Sequence, residues 1–121
     1  MKFMLRQLEA KFRVIVKIDE EGELASHREA ASIAVAQGVM FLCPKCFEAN
    51  GGRVGTHSVI CWSRSRGVPD SVRPGPGRWS LVGTSIDDLT LNGEPPGGGR
   101  SVALLKSVCG WHGFVTNGEA E

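Results

Sequence analysis

A chain of 121 residues with 41% hydrophobic and 22% charged side chains has the make-up of an ordinary soluble globular protein with one core. Sixteen glycines and six prolines exclude an all-helical fold and point to a loop-rich, strand-leaning one. The longest uncharged run, residues 30–44, is too short and too broken by Gln37 and Gly38 to span a bilayer.

Lys2, Arg6, Glu9 and Lys11 interrupt the apolar residues near the start, so the sequence reads as cytoplasmic rather than secreted. Lys11 to Ile18 alternates polar with apolar side chains and predicts a half-buried strand, followed by a turn over Asp19 to Gly22. Ser26 and Glu29 have the spacing of a capping box. Ala30, Ala31, Ile33, Ala34, Val35 and Ala36 then predict a helix that Gly38 ends. Val39 to Leu42 reads as a short strand, and Asn50-Gly51-Gly52 as a break. Thr56 to Ser63 predicts a strand with His57, Val59 and Cys61 on one face and Ser58, Ile60 and Trp62 on the other. Arg64 to Gly77 is a long loop. Arg78 to Val82, Asp88 to Leu91 and Ser101 to Val108 are further candidate strands, and Asn117-Gly118 is a strong turn dipeptide with little chain left to return. The expected architecture is a single α+β domain over residues 1–121, with one helix in the N-terminal half and a mixed or antiparallel sheet. Residues 1–37 supply strand plus helix, and residues 38–121 a β-rich, metal-binding part.

Two short chelating pairs carry the chemistry. Cys43-Pro44-Lys45-Cys46 and Cys109-Gly110-Trp111-His112 offer three thiolates and an imidazole, a full tetrahedral ligand set for zinc. The 62 residues between them (47–108) exceed the spacing of a zinc finger or ribbon, so the site is discontinuous and joins mid-chain to the C-terminal region. His57 is a further candidate, as a substitute ligand or as a group behind the ligands. Four strand residues separate His57 from Cys61 by about 13 Å, too far for both to hold one ion, which leaves Cys61 to the core.

Competing chemistries fit less well. A redox role for Cys43 and Cys46 needs a helix beginning at the motif, and Asn50-Gly51-Gly52 cuts such a helix short. His27-Arg28-Glu29 ahead of Cys43-Pro44-Lys45-Cys46 echoes zinc deaminases. There the proline precedes the first cysteine, and only thirteen residues lie between Glu29 and Cys43 here. Asp87 and Asp88 would point to opposite strand faces and make no acid and base pair. A zinc-dependent, hydrolase-like enzyme would need His57 beside an open metal position, whereas three thiolates tend to close a site. Arg64, Arg66, Arg73 and Arg78 form a local basic patch that could contact a polyanion, including nucleic acid, although Gly and Pro between them fit a solvated connection better.

The stretches Gly38 to Phe47, Asn50 to Val59, Pro74-Gly75-Pro76-Gly77-Arg78-Trp79 and Cys109 to Phe114 together resemble a family of small phage- and prophage-encoded proteins. Some members are labelled ammonia monooxygenase, an activity for which these residues offer no support. The resemblance covers roughly residues 35–120, and its matching positions are Cys43, Cys46, His57, Cys109 and His112, with Trp79 and Asn117-Gly118 as structural marks. It implies a phage protein acting inside a bacterial host cell and supplies no activity. The expected function is that of a small zinc-binding interaction module that acts on a host protein or nucleoprotein complex, in the manner of an inhibitor of host defence.

Overall fold

The structure is a computed structural model that describes residues 1–95 and 97–121. Its strands are β1 (Phe3–Met4), β2 (Lys11–Ile18), β3 (Ala25–Glu29), β4 (Gly38–Leu42), β5 (Ser58–Trp62), β6 (Trp79–Val82), β7 (Thr90–Gly93), β8 (Val102–Ala103), β9 (His112–Gly113), β10 (Val115–Thr116) and β11 (Glu119–Ala120), and its helix is α1 (Pro44–Asn50). The fold is α+β, as the composition and patterning lead one to expect.

A four-stranded antiparallel sheet in the order β3-β2-β4-β5 is the main platform. A small three-stranded sheet, β1-β11-β10, and the ribbons β6-β7 and β8-β9 pack around it. One apolar cluster unites them: Leu5, Leu8, Val39, Phe41, Leu89, Leu91, Trp111 and Val115 are all buried within it. A second cluster lies under the long loop, where Trp62, Val68 and Val72 are enclosed with Ile60 and Ile15 against them. The two faces of β5 divide as its period of two dictates, Val59 and Cys61 into the first cluster, Ile60 and Trp62 into the second.

The helix is not where the capping-box pattern puts it. Residues 25–29 form β3, paired with β2 through Ile18↔Ala25 and Arg13↔Glu29, and only Ile33–Val35 makes a single 3-10 turn. The hairpin turn decides this. Asp19 Oδ1 accepts hydrogen bonds from the backbone N–H groups of Glu23 and Leu24, and Gly22 takes a positive φ of 74° that closes the turn. A returning strand then gains a whole ladder, whereas a helix over 26–37 offers only Ile33 and Val35 as bulky apolar side chains. The helix forms instead at Pro44–Asn50, with Cys43 at its N-cap, Pro44 in its first turn and Gly51 at φ 67° as its left-handed cap. Gly51 limits it to seven residues. Gly38, expected to end a helix, lies inside the sheet opposite Trp62.

The stretch 101–108 also departs from a single strand. Only Val102–Ala103 is extended, and residues 104–111 turn back so that Leu104 N–H reaches the Trp111 carbonyl at 2.8 Å. At the C-terminal end Asn117 and Gly118 adopt φ 48° and 81°, a tight turn that returns β11 between β10 and β1. Among the described residues no helix is long and apolar enough to cross a membrane.

The basic loop is built from the inside. Arg78 is only 3% exposed, and its guanidinium donates to the carbonyls of Pro69, Val72, Pro74 and Gly77. Arg66 donates to the carbonyls of Ile33 and Ala36, Arg64 to Asp70 Oδ1 and the Pro95 carbonyl, and Arg73 pairs with Glu23. The donors of Arg64, Arg66 and Arg78 tie the loop to itself and to the sheet, while Arg73 stays largely exposed in its pair with Glu23. A loop with one apolar patch and many bare carbonyls needs internal cations to satisfy them, and the arginines meet that need.

Candidate metal centre

Four side chains meet where β4 ends, α1 begins, β5 begins and the 104–111 loop closes. Cys43 follows the last residue of β4, and its backbone N–H bonds the His57 carbonyl at 2.9 Å, so the antiparallel pairing of β4 with β5 sets Cys43 beside His57. Pro44 then starts α1, and the first turn of that helix brings Cys46 back to the same point. Cys109 arrives on the far loop, where the N–H groups of Val108, Cys109 and Gly110 all bond the Leu105 carbonyl. Gly110 takes φ 70°, a conformation that costs a side-chain-bearing residue energy, and so lets the chain double back.

The coordinating atoms of Cys43, Cys46, His57 and Cys109 all lie within 4.8 Å of one another, and the group could hold a metal ion. The Cys43 and Cys109 sulfurs are 3.7 Å apart, well beyond a disulfide bond. Cys43 is buried and the other three are half-buried. All four cysteines are free thiols.

Several details fit these residues to a cation. His57 Nδ1 is 3.2 Å from the Ser58 carbonyl, which can only accept, so Nδ1 carries the proton and Nε2 is left with its lone pair. That Nε2 is buried and has no hydrogen-bond partner among the described residues. An orphaned acceptor facing three sulfurs is the arrangement of a histidine ligand oriented by a backbone carbonyl. The Cys43 sulfur receives the Cys46 N–H, and the Cys109 sulfur receives the Trp111 N–H. These bonds stabilise thiolate charge at both turns. Lys45 Nζ adds a positive group, donating to the Cys109 carbonyl at 2.6 Å.

The protons are unevenly held. Burial pushes the Cys43 thiol up to about 12 despite the Cys46 N–H. Burial also opposes ionisation of Cys109, but the Trp111 N–H and the Cys43 and Cys46 thiols act the other way and hold Cys109 below the usual thiol range. Burial thus favours the thiol at Cys43 and the hydrogen bonds favour the thiolate at Cys109. Affinity for a metal must rise with pH as those protons leave.

Three of the four expected ligands, Cys43, Cys46 and Cys109, are in this group, and its fourth member is His57, the named substitute, rather than His112. The reason is Trp111. Its indole is 2% exposed and packs edge-on to Phe41 at a centroid distance of 6.0 Å. Extended neighbours point to opposite sides, so burying Trp111 turns His112 outward, where it is exposed beside Phe114. The register that pairs Cys43 with His57 follows from two strands that the sequence does reveal, and it is the signal that selects between the two histidines. Cys61 is fully buried in the main cluster, where burial pushes its thiol well up, and it stands apart from the group. His27 lies on the edge strand β3, accepting from Arg13 Nε at 2.9 Å and touching the Trp62 ring. Asp87 pairs with Arg6, and Asp88 caps the turn at Thr84 and Ser85. No protein-family model matches this chain, and neither a curated protein nor a solved structure matches it.

Proposed function

We propose that the protein is a small interaction module whose fold is stapled by one structural zinc ion held by Cys43, Cys46, Cys109 and His57. The observation that carries this reading is the convergence of three sulfurs and one carbonyl-oriented imidazole from three separate chain segments. Tetrahedral zinc with bonds of about 2.3 Å to sulfur requires sulfurs about 3.8 Å apart. The 3.7 Å between Cys43 and Cys109 agrees with that requirement. Four protein donors complete the coordination of zinc, which favours a structural role.

The rival reading, a zinc hydrolase, uses His57 as a base beside an open position. With His57 among the donors, that base is spent and the position is filled. Direct nucleic-acid binding is the weaker reading, because Arg64, Arg66 and Arg78 spend donors within the protein and leave Arg73 as the one largely exposed arginine of the four. By the resemblance to phage proteins, the partner is a host protein or nucleoprotein complex, and disabling a host defence assembly is the expected consequence.

Purified protein should carry one zinc per chain, and metal-edge X-ray absorption should read three sulfurs, one nitrogen and no water oxygen. In bacterial host cells, tagged wild-type chain should retain a partner that Cys43→Ala loses. A chain devoid of metal, or a metal with an exchangeable water, overturns the structural-zinc reading.

A further inference from the structure

Beside the metal centre lies a cleft of about 390 Å³ whose walls include two strand edges. Residues 57–60 all line it, as do residues 101–104. Alternate residues of a strand point to opposite faces, so a cavity touching four in succession lies along an edge. β5 is the last strand of its sheet and β8 belongs to a two-stranded ribbon, so each has one unpaired side.

The register shows which groups that side presents. Cys43 N–H bonds the His57 carbonyl and Ser63 N–H the Gln37 carbonyl, so the odd-numbered residues of β5 turn their polar groups toward β4. Ser58 and Ile60 turn theirs outward. The Ser58 carbonyl is taken by His57 Nδ1, whereas the Ser58 N–H and both backbone groups of Ile60 have no partner among the described residues. On the other wall Leu104 N–H bonds the Trp111 carbonyl, which turns the groups of Ala103 outward, likewise without a partner among the described residues. Trp79 and Val102 contribute apolar surface, and among the described residues no ionisable side chain apart from the His57 imidazole lines the cleft.

We infer that this cleft binds an extended peptide segment of a partner protein, which adds to the free edge of β5 as a further strand. Unpaired N–H and C=O groups at strand spacing are complementary to another extended backbone and to little else. The walls select the segment: its residues that enter the cleft are uncharged and alternate ones are apolar. The metal holds the walls together, because His57 opens the β5 side and Cys109 closes the loop that follows β8. The inference rests on the reading of the chain as an interaction module and names the chemistry of its partner.

The test is selection of random heptapeptides displayed against the zinc-loaded full chain, followed by titration of synthetic versions. Enriched peptides should share alternate apolar residues. Methylating the alternate backbone nitrogens should weaken them roughly tenfold, the worth of about one hydrogen bond. Ile60→Pro should weaken them similarly while leaving zinc content in place, since the Ile60 N–H serves no bond within the sheet, and should lower the melting temperature because Ile60 packs against the Trp62 cluster. N-methylation probes the same contact on unaltered protein, should that variant fold poorly. The inference is overturned if no peptide is enriched, if binding survives both changes, or if the edge is occupied by a second copy, seen as a dimer that Ile60→Pro dissociates. Peptide binding by a chain that holds no zinc would overturn the metal reading and leave the edge site standing. A zinc-loaded, folded chain that selects no peptide would overturn the edge site alone.

Discussion

His57 and His112 differ in one respect that decides their roles: the partner of the ring. His57 gives one nitrogen to a backbone carbonyl and keeps the other free and buried, whereas His112 is exposed beside Phe114. His57→Ala should weaken metal binding by more than the roughly 10–100-fold that follows loss of an outer hydrogen-bond partner. His112→Ala should leave it unchanged; competition with a chromophoric chelator measures both. Gly38 is a second residue whose chemistry is set by its neighbour. A Cβ there would lie 2.6 Å from Trp62 Cε3 and 2.7 Å from the Cys61 carbonyl oxygen, because the indole lies over Gly38 and meets His27 edge-on at 5.4 Å. Gly38→Ala should therefore destabilise the fold by about 1–3 kcal/mol, read from denaturant unfolding, through displacement of both Trp62 and the β5 backbone.

At the scale of elements, the loop between β5 and β6 is held by two buried ions that do not pair directly. Arg78 gathers four carbonyls, and Glu94 receives the backbone N–H groups of Arg64 and Ser65 and the hydroxyls of Ser63 and Ser80. Burial pushes the Glu94 carboxyl up, and its hydrogen bonds to Ser65, Arg64 and Ser80 outweigh that and hold it below the usual carboxylate range. A carboxyl depressed by folding contributes stability that is complete above its unfolded value of about 4.3 and is lost as pH falls through its folded value. Glu94→Gln should cost about 1–3 kcal/mol at neutral pH. It should also flatten the acid limb of the stability curve. Asp19, Asp87 and Asp88 are depressed too, by backbone or Arg6 hydrogen bonds, so the difference between wild type and variant isolates Glu94. Thermal melts from pH 3 to 7 would show it. None of this loop architecture is legible in the sequence, because an arginine among glycines and prolines has the same local pattern whether it faces water or a cage of carbonyls. The strands β2, β4, β5 and β6 are legible, since alternation survives into the pleat. The helix is misplaced because a capping-box spacing is a local signal, and the hairpin closed by Asp19 and Gly22 outcompetes it with a long ladder. The site is three-quarters legible: paired cysteines announce themselves by spacing. The imidazole is chosen by strand register and by the burial of Trp111, neither of which is local.

For the whole molecule, the candidate metal centre brings together side chains from three separate segments, the end of β4 with α1, the start of β5 and the 104–111 loop. The β2-β4-β5 sheet has a continuous ladder and one face buried in the main cluster. The 104–111 loop is anchored mainly by Trp111 and Leu104 in the cluster and by Cys109 in the cysteine and histidine group, while Leu105 and Val108 are exposed. A structural zinc contributes about 10–16 kcal/mol of apparent binding free energy, comparable with the 5–15 kcal/mol net stability of a domain. Its removal must therefore be felt globally, yet the order of loss follows the ties. Of the segments that carry the group, β4 and β5 are held by a continuous ladder, whereas the 104–111 loop that carries Cys109 is not, so loss of an ion would be felt first at the Cys109 side. On chelation, hydrogen exchange should accelerate first at the amides of residues 104–111, next at α1, and last at Val39, Phe41, Val59 and Cys61, whose amides face one another between β4 and β5. Acidification should produce the same order, since protons compete with the cation for the three sulfurs and the imidazole. Exchange that quickens uniformly, with the sheet core opening as early as the loop, would mean that the ion supports the whole fold at once and that the sheet has no stability of its own.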